Sequence, residues 1–259
     1  MAGLITKAII LAAGAATRLR PLTEHTPKCL LPIAGSPLLR WTLDAVVHAG
    51  MAEVAVVTGF ESERIRTFLK NNYPFHRIRF ISNPYYHRTN NAYSLLLARR
   101  FLEDRAGRIA SGFLLLDSDI MFDRRILSVL REHPADNRLA VRVRGVHNEE
   151  EIRVEVDELN RVKRIGKDVP AERTFGESIG IEMFSQAAAA RLYEVLEHRV
   201  RSGGGRTEFY EASFQVLIDE GCDLRAVDIG ELPVVEIDTP ADLQEAQQLA
   251  ARFASSPTS

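Results

Sequence analysis

The chain has 259 residues, a formal net charge of -2 and 46% hydrophobic residues. That length can bury an ample core, the composition excludes a disordered chain, and the mixed charge argues against a nucleic-acid-binding surface. No apolar stretch approaches the ~20 residues of a membrane span, and Cys29 and Cys222 form neither a disulfide framework nor a metal pattern, which suits a reducing cytoplasm.

In chain order, short apolar runs predict strands at Lys7–Leu11, Val54–Thr58, Ile78–Ser82, Phe113–Leu116 and Leu139–Val143. Helical patterns fall between them at Pro37–Ala49, Glu61–Asn71, Tyr93–Glu103 and Arg124–Glu132. Ser36 is placed to cap the first helix, Pro37 suits its first position and Gly50 its close. The basic residues of Arg138–Arg144 alternate with apolar ones, as in a strand with one solvated face. Further on, Ile152–Asp157 and Arg161–Gly166 flank Glu158-Leu159-Asn160 and read as a β-hairpin. A strand at Gly176–Phe184 follows, then helices at Gln186–Arg201 and Thr207–Glu220, parted by Ser202-Gly203-Gly204-Gly205. A strand at Leu224–Ile229 and a helix at Pro240–Arg252 complete the set, with Ala254–Ser259 as a frayed tail. This alternation predicts an α/β fold: a Rossmann-like three-layer sandwich on a mainly parallel mixed sheet. The expected organisation is one domain over residues 1–253, with halves meeting at 145/146 and the hairpin as an insertion in the second half.

Chemistry concentrates where the first strand ends. Leu11-Ala12-Ala13-Gly14-Ala15-Ala16-Thr17 is a small-residue turn whose backbone N–H groups can approach an anion. Two isolated cations, Arg18 and Lys28, follow it: a planar fork and a mobile point charge suited to phosphate oxygens. Ala8–Ala16 also imitates a signal-peptide apolar region, but Lys7 lies too far in, and cleavage there would leave the mature chain opening on an orphan phosphate motif. The spacing after Gly14 excludes a Walker loop, and the absence of G-x-G-x-x-G weighs against a nicotinamide-dependent oxidoreductase.

From Ala12 to Pro32 the chain resembles the signature A-x-G-x-[GA]-[ST]-R-x-x-P-L-T-x-x-x-P-K-x-L-L-P of the sugar-phosphate nucleotidyltransferase superfamily. Ala16 stands where many members have glycine, so this residue is expected to avoid positive φ and to stiffen the loop. Asn83-Pro84-Tyr85-Tyr86 and Asn90-Asn91-Ala92-Tyr93-Ser94 resemble the phosphocholine and alcohol-phosphate cytidylyltransferase branch. The resemblance implies base or ribose contacts from Asn90, Asn91 and Ser94; read by themselves, the paired amides favour capping the helix they enter.

Asp117-Ser118-Asp119 ends an apolar strand, where buried carboxylates need a partner, and Mg²⁺ is a natural one. Asp123 is the better cap for the next helix, which frees Asp119. The superfamily pattern pairs that strand-end aspartate with a late one, implying that Asp119 and Asp238 converge on one Mg²⁺. Thr239 and Pro240 read as cap and first turn of the last helix. The resemblance also implies that Asp117 lies at the nucleotide, that Lys167 contacts the acceptor phosphate, and that Asp119, Glu151, Glu177, Tyr210 and Glu236 surround the acceptor.

The implied reaction is Mg²⁺-dependent transfer of a nucleotidyl group from a nucleoside triphosphate, CTP favoured, with release of pyrophosphate. Phosphocholine, phosphoethanolamine or 2-aminoethylphosphonate are the expected acceptors, and inositol-1-phosphate or a sugar-1-phosphate are alternatives. A non-catalytic nucleotide-sensing domain is the reading from another class, disfavoured because Arg18, Lys28, Asp119 and Asp238 are all present. A cytoplasmic monomer or homodimer, without nucleic acid, is the expected context.

Overall fold

Every residue of strand β1 (Lys7–Ala12) after Lys7 is buried, so both faces of this strand must be covered. In the computed structural model, which describes residues 4–74, 76–143 and 151–255, they are. After β1 the chain forms the paired two-residue strands β2 (Pro32–Ile33) and β3 (Ser36–Pro37), helix α1 (Leu38–His48), β4 (Glu53–Thr58), α2 (Ser62–Asn72) and β5 (Arg77–Ser82). Then come α3 (Asn91–Leu97), α4 (Arg99–Leu102), β6 (Phe113–Asp117), β7 (Ile120–Phe122), α5 (Arg125–Glu132) and β8 (Asn137–Arg142). The hairpin β9 (Arg153–Val156) and β10 (Val162–Gly166), β11 (Gly176–Phe184), α6 (Gln186–Arg201), α7 (Glu211–Asp219), β12 (Leu224–Asp228), β13 (Val234–Glu236) and α8 (Pro240–Ser255) follow.

One nine-stranded sheet runs β10-β9-β11-β6-β1-β4-β5, with β8 paired to β11 and β12 to β8. Strands β6, β1, β4 and β5 are parallel, while β11 is antiparallel to β6. Alternation along β1 sends Ala8 and Ile10 into a core shared with Leu39 and Leu43 of α1, Ile65 of α2 and Leu130 of α5. Ile9 and Leu11 enter the opposite core with Leu95 of α3, Phe101 of α4, Leu192 of α6 and Phe214 of α7. The expected three-layer α/β sandwich is therefore present, and the β9–β10 hairpin continues the same sheet through β11. Its turn is held by Asp157, whose carboxylate accepts the N–H groups of Leu159 and Arg161.

Several expectations need local correction. Ser36 does not cap α1; it pairs with Ile33 in the β2–β3 turn. Gly50 does close that helix: at φ +76° it donates to Val47 O while Met51 donates to Val46 O, a Schellman pair. The predicted helix at Tyr93–Glu103 starts at Asn91 and breaks at Ala98, and the one predicted from Thr207 starts only at Glu211. Strand β8 has no solvated face, because Arg138 is buried and its guanidinium donates to the carbonyls of Leu130, Arg131 and His133. Ala254 and Ser255, expected in a frayed tail, belong to α8; residues 256–259, Arg144 and the 145/146 boundary lie outside the described residues.

Ala16 does adopt positive φ, at 45°, in the left-handed region. That costs a non-glycine residue about 1–2 kcal/mol. Its carbonyl accepts from Thr23 Oγ1 at 2.7 Å and from Leu19 N at 3.2 Å, two bonds that hold the strained turn in place.

A three-residue ladder that no sequence pattern announced does the long-range positioning. β13 runs antiparallel to β7, with Val234, Val235 and Glu236 opposite Phe122, Met121 and Ile120. The Ile237 N–H then donates to the Asp119 carbonyl at 2.9 Å. Met121, Val235 and Ile237 bury against Leu19, Leu31, Leu38 and Leu249, forming a small core between the signature segment and α8. Gln247 of α8 completes the clamp by accepting from Ala34 N and donating to Pro32 O.

Candidate active site

The carboxyl ends of β1, β5 and β6 open onto a cavity of about 390 Å³. Leu11 stands opposite Asp117 and Ala12 opposite Thr58 in the parallel register, so the phosphate-type loop and the Asp117–Asp119 turn leave the sheet side by side. Leu11, Ala12, Ala13, Gly14, Ala16, Thr17 and Arg18 line this cavity; Ala15 does not. Among the described residues, no backbone N–H from Gly14 to Arg18 has a protein acceptor. Such unpaired donors make the wall suited to an anion.

Lys28, Asp119, Glu236 and Asp238 line the same cavity. Lys28 Nζ donates to Asp119 Oδ2 at 2.9 Å and to Asp238 Oδ1 at 2.7 Å, and Arg18 Nη2 reaches Asp238 Oδ2 at 3.0 Å. The lysine side chain is only 11% exposed, whereas that of Arg18 is 62% exposed. Burial alone would lower Lys28, but the charges of Asp119 and Asp238 outweigh it and hold the ammonium above its ordinary range. Carboxylate oxygens of Asp119, Glu236 and Asp238 all lie within 4.8 Å of one another, a hard-oxygen set suited to a divalent cation. Desolvation, then the charges of Asp119 and Asp238, push Glu236 up to about 8 even though the residue stays open to the cavity. Glu236 is the member of this trio that sequence reasoning assigned elsewhere. Its signal was the acid–apolar–acid alternation of Glu236-Ile237-Asp238, which sends both carboxylates to one side of an extended chain.

Asn90, Asn91 and Ser94 also line the cavity, yet their acceptors are engaged. Asn90 Oδ1 caps α3 by accepting Asn91 N at 2.8 Å, and Asn91 Oδ1 accepts Tyr210 N at 2.8 Å. Ser94 Oγ accepts from Asn83 Nδ2. The capping alternative thus holds at Asn90, and what these residues can present to a ligand is chiefly amide N–H.

A second cavity of about 510 Å³ adjoins the first and shares Arg18, Asp117, Asp119, Glu236 and Asp238 with it. Glu151, Lys167 and Glu177, expected around the acceptor, all line it, Glu177 paired with Arg142. Tyr210 lines neither cavity. It is fully enclosed, stacks on Phe214 with centroids 4.9 Å apart, and donates its hydroxyl to Asp117 Oδ2 at 2.8 Å. The aromatic side chain bordering both cavities is its neighbour Phe209, with Lys167 Nζ 5.3 Å from the ring centre. Adjacent residues at a helix entrance point in different directions, and sequence similarity cannot tell which faces the ligand.

Beside the half-buried Asp117, Glu182 and Glu211 are both buried, and among the described residues Glu182 Oε2 and Glu211 Oε2 have no hydrogen-bond partner. Burial, then the charges of Asp117 and Glu211, hold Glu182 well above the usual carboxylate range. Folding therefore retains a proton that the unfolded chain releases once pH passes the ordinary value of 4.5, so Glu182 costs increasing stability as pH rises from there. A Glu182→Gln variant is expected to melt higher than the parent at pH 8, by about 2–4 °C for each kcal/mol recovered, and to lose that advantage at pH 4.5. Thermal unfolding at the two pH values checks this; an equal gap at both would refute it.

A family model described as Nucleotidyl transferase matches residues 7–166. The chain belongs to that family. It is a nucleotidyltransferase, and its relatives include proteins named as cytidylyltransferases. A 2-aminoethylphosphonate cytidylyltransferase of Lancefieldella rimae is 28% identical over 92% of this chain and 90% of its own length. A CMP-5'-(3-aminopropyl)phosphonate synthase of Streptomyces rubellomurinus is 29% identical over 93% of this chain, which spans 38% of that longer protein. Among solved structures, the inositol-1-phosphate CTP transferase from T. maritima superposes with a TM-score of 0.80 at 22% identity, over 100% of both chains. That likeness establishes the fold. No helix among the described residues is long and apolar enough to cross a membrane.

Proposed function

We propose that this nucleotidyltransferase moves CMP from CTP to a small acceptor bearing a phosphonate or phosphate at one end and a primary ammonium at the other. The observation that carries the reading is convergence: Arg18, Lys28, Asp119 and Asp238, scattered over the whole chain, line one cavity that continues directly into a second. In the proposed reaction an acceptor oxygen attacks the α-phosphorus, the bond to the β-phosphate oxygen breaks, and pyrophosphate leaves. A phosphonate or phosphate dianion is already nucleophilic near neutral pH, so the residues need only align it and offset charge. The unpaired N–H groups of Gly14–Arg18 and the Arg18 guanidinium hold the triphosphate tail, and Lys28 faces the charge that develops at the α-phosphate. Asp119, Glu236 and Asp238 would hold a divalent cation, Mg²⁺ by the hard-oxygen chemistry of the set, which supplies charge neutralisation when bound.

The acceptor end rests on the second cavity. Glu151, Glu177 and Glu211 stand there against Lys167 and Arg142, with Phe209 as the one aromatic among its lining residues. A trimethylammonium group has no N–H and relies on aromatic faces, whereas a primary ammonium donates three hydrogen bonds to carboxylates. The lining supports the second, and the activities for which the two phosphonate relatives are named agree. A pyrophosphate-release assay crossing CTP, UTP, GTP and dTTP with 2-aminoethylphosphonate, phosphoethanolamine, phosphocholine, inositol-1-phosphate and a sugar-1-phosphate tests it. CTP with an amine-bearing acceptor is expected to give the highest kcat/KM. Fastest turnover with a sugar phosphate, or no turnover with any pair, would overturn the proposal.

A further inference from the structure

In the reaction proposed above, the acceptor oxygen meets the α-phosphorus where the two cavities join, and this junction is almost wholly polar. Arg18, Asn91, Asp117, Asp119, Glu236 and Asp238 line both cavities, and Phe209 is the one apolar side chain that does so with them. Carboxylates and a guanidinium hold water strongly, so the junction invites a competing nucleophile. Water attacking the α-phosphorus would form the new P–O bond in place of the acceptor. The bond to the bridging oxygen would break, pyrophosphate would leave, and a proton would pass to solvent. CTP would end as CMP with nothing transferred, so a transferase gains from an apolar surface at this point.

Phe209 is 45% exposed and takes no part in the core. Three consecutive glycines, Gly203 to Gly205, precede it, a composition that elsewhere makes a flexible linker. Here the strap they begin is braced. A Cβ added at Gly205 would come within 2.7 Å of the Arg199 carbonyl carbon and 2.9 Å of Val200 N, so only glycine lets the turn fold back onto the end of α6. Glu208 accepts from both Nε and Nη2 of Arg199, at 2.9 and 2.7 Å. On the other side, Arg206 O accepts Asn90 N at 2.8 Å, and Tyr210 N donates to Asn91 Oδ1 at 2.8 Å. The residues immediately before and after Phe209 are therefore pinned to α6 and to the entrance of α3. These bonds, and not burial of the ring, set its place at the junction. Lys167 Nζ stands 5.3 Å from the ring centre on the side of the second cavity. An exposed ring on a fixed support beside the reacting atoms leaves apolar area for a substrate's carbon chain to cover.

We propose that Phe209 keeps water from taking the acceptor's place: its ring packs on the acceptor's carbon chain and closes the junction around the reacting oxygen. The proposal rests on the transfer reaction assigned above. Its test gives the enzyme CTP, Mg²⁺ and 2-aminoethylphosphonate below its KM, then separates CMP from the transferred product by chromatography. Phe209→Ala is expected to lower kcat/KM for the acceptor by about 3- to 10-fold, the effect of losing roughly half the burial of a phenyl ring. CMP formed per molecule of product rises by at least that factor, because water is no longer shut out. Phe209→Gln keeps the reach without the apolar surface and is expected to leak in the same way. Phe209→Leu keeps apolar bulk and holds the parent's ratio. Because the ring lies outside the core, unfolding curves of all three variants are expected to match the parent's. A ratio that stays at the parent's value in both Phe209→Ala and Phe209→Gln overturns the proposal, even where both rates fall together, since the ring would then only shape the site. A parent that transfers nothing to any acceptor overturns the transfer reaction itself, a failure read without the Phe209 variants.

Discussion

Replacing Lys28 by alanine is expected to lower kcat by about 10²–10³-fold, the usual effect of removing one positioned donor to developing charge. The expectation follows from where the ammonium is held. Its side chain is 11% exposed and fixed by two carboxylates, so it meets the transition state with little reorganisation and in weak solvent screening. The exposed Arg18 lacks that enclosure and is expected to act more through nucleotide affinity than through turnover. Lys28→Ala leaves Asp119 and Asp238 without their shared cation, which tends to destabilise the site while increasing its appetite for a divalent ion. Steady-state kinetics at saturating Mg²⁺, with unfolding curves in parallel, separates the two effects. A folded variant with kcat within a few-fold of the parent would remove Lys28 from the proposed chemistry. Arginine is no conservative replacement here, because a planar fork cannot put one compact charge where two carboxylates share a single ammonium.

How far the sequence exposed this arrangement depends on the range of the interactions involved. The layers were legible because burial on both faces of β1, β4 and β6 leaves near-continuous apolar runs. The phosphate-type loop and its two cations were legible because the residues are close in sequence. What stayed hidden is non-local. The β7–β13 ladder has only three residues per strand, too few for an alternation signal, yet it brings Glu236 and Asp238 beside Asp119. Ala16 was expected to avoid the left-handed region on steric grounds; the two bonds to its carbonyl, one from the distant Thr23, hold it there. The exchange of Tyr210 for Phe209 at the second cavity has a similar cause. The Tyr210 hydroxyl is claimed by Asp117, which lies over ninety residues earlier and is invisible to local pattern.

Asp238→Asn is expected to match or exceed the loss at Lys28 and to differ from it in kind. It removes one charge from the trio proposed for the divalent cation, and it takes from both Lys28 and Arg18 a partner that fixes them. Asparagine keeps the shape and one carbonyl oxygen, so the backbone clamp should survive: Asp242 accepts the N–H groups of residues 238 and 239, and Thr239 Oγ1 accepts from Asp242 N. The expected result is a folded protein whose turnover falls by about 10²–10³-fold at 1 mM Mg²⁺ and is partly recovered at high Mg²⁺. Asp119→Asn should behave alike, since its carboxylate is the other acceptor of the Lys28 ammonium. The double variant then discriminates between one shared ion and two separate roles. Residues acting on one cation give a double loss much smaller than the product of the single losses, whereas independent roles multiply. Full Mg²⁺-dependent turnover in either single variant would break the pairing that joins the two ends of the chain. The reasoning turns on Lys28: an ammonium that two carboxylates share marks where positive charge is wanted, and a divalent cation held by the same carboxylates would answer the same demand.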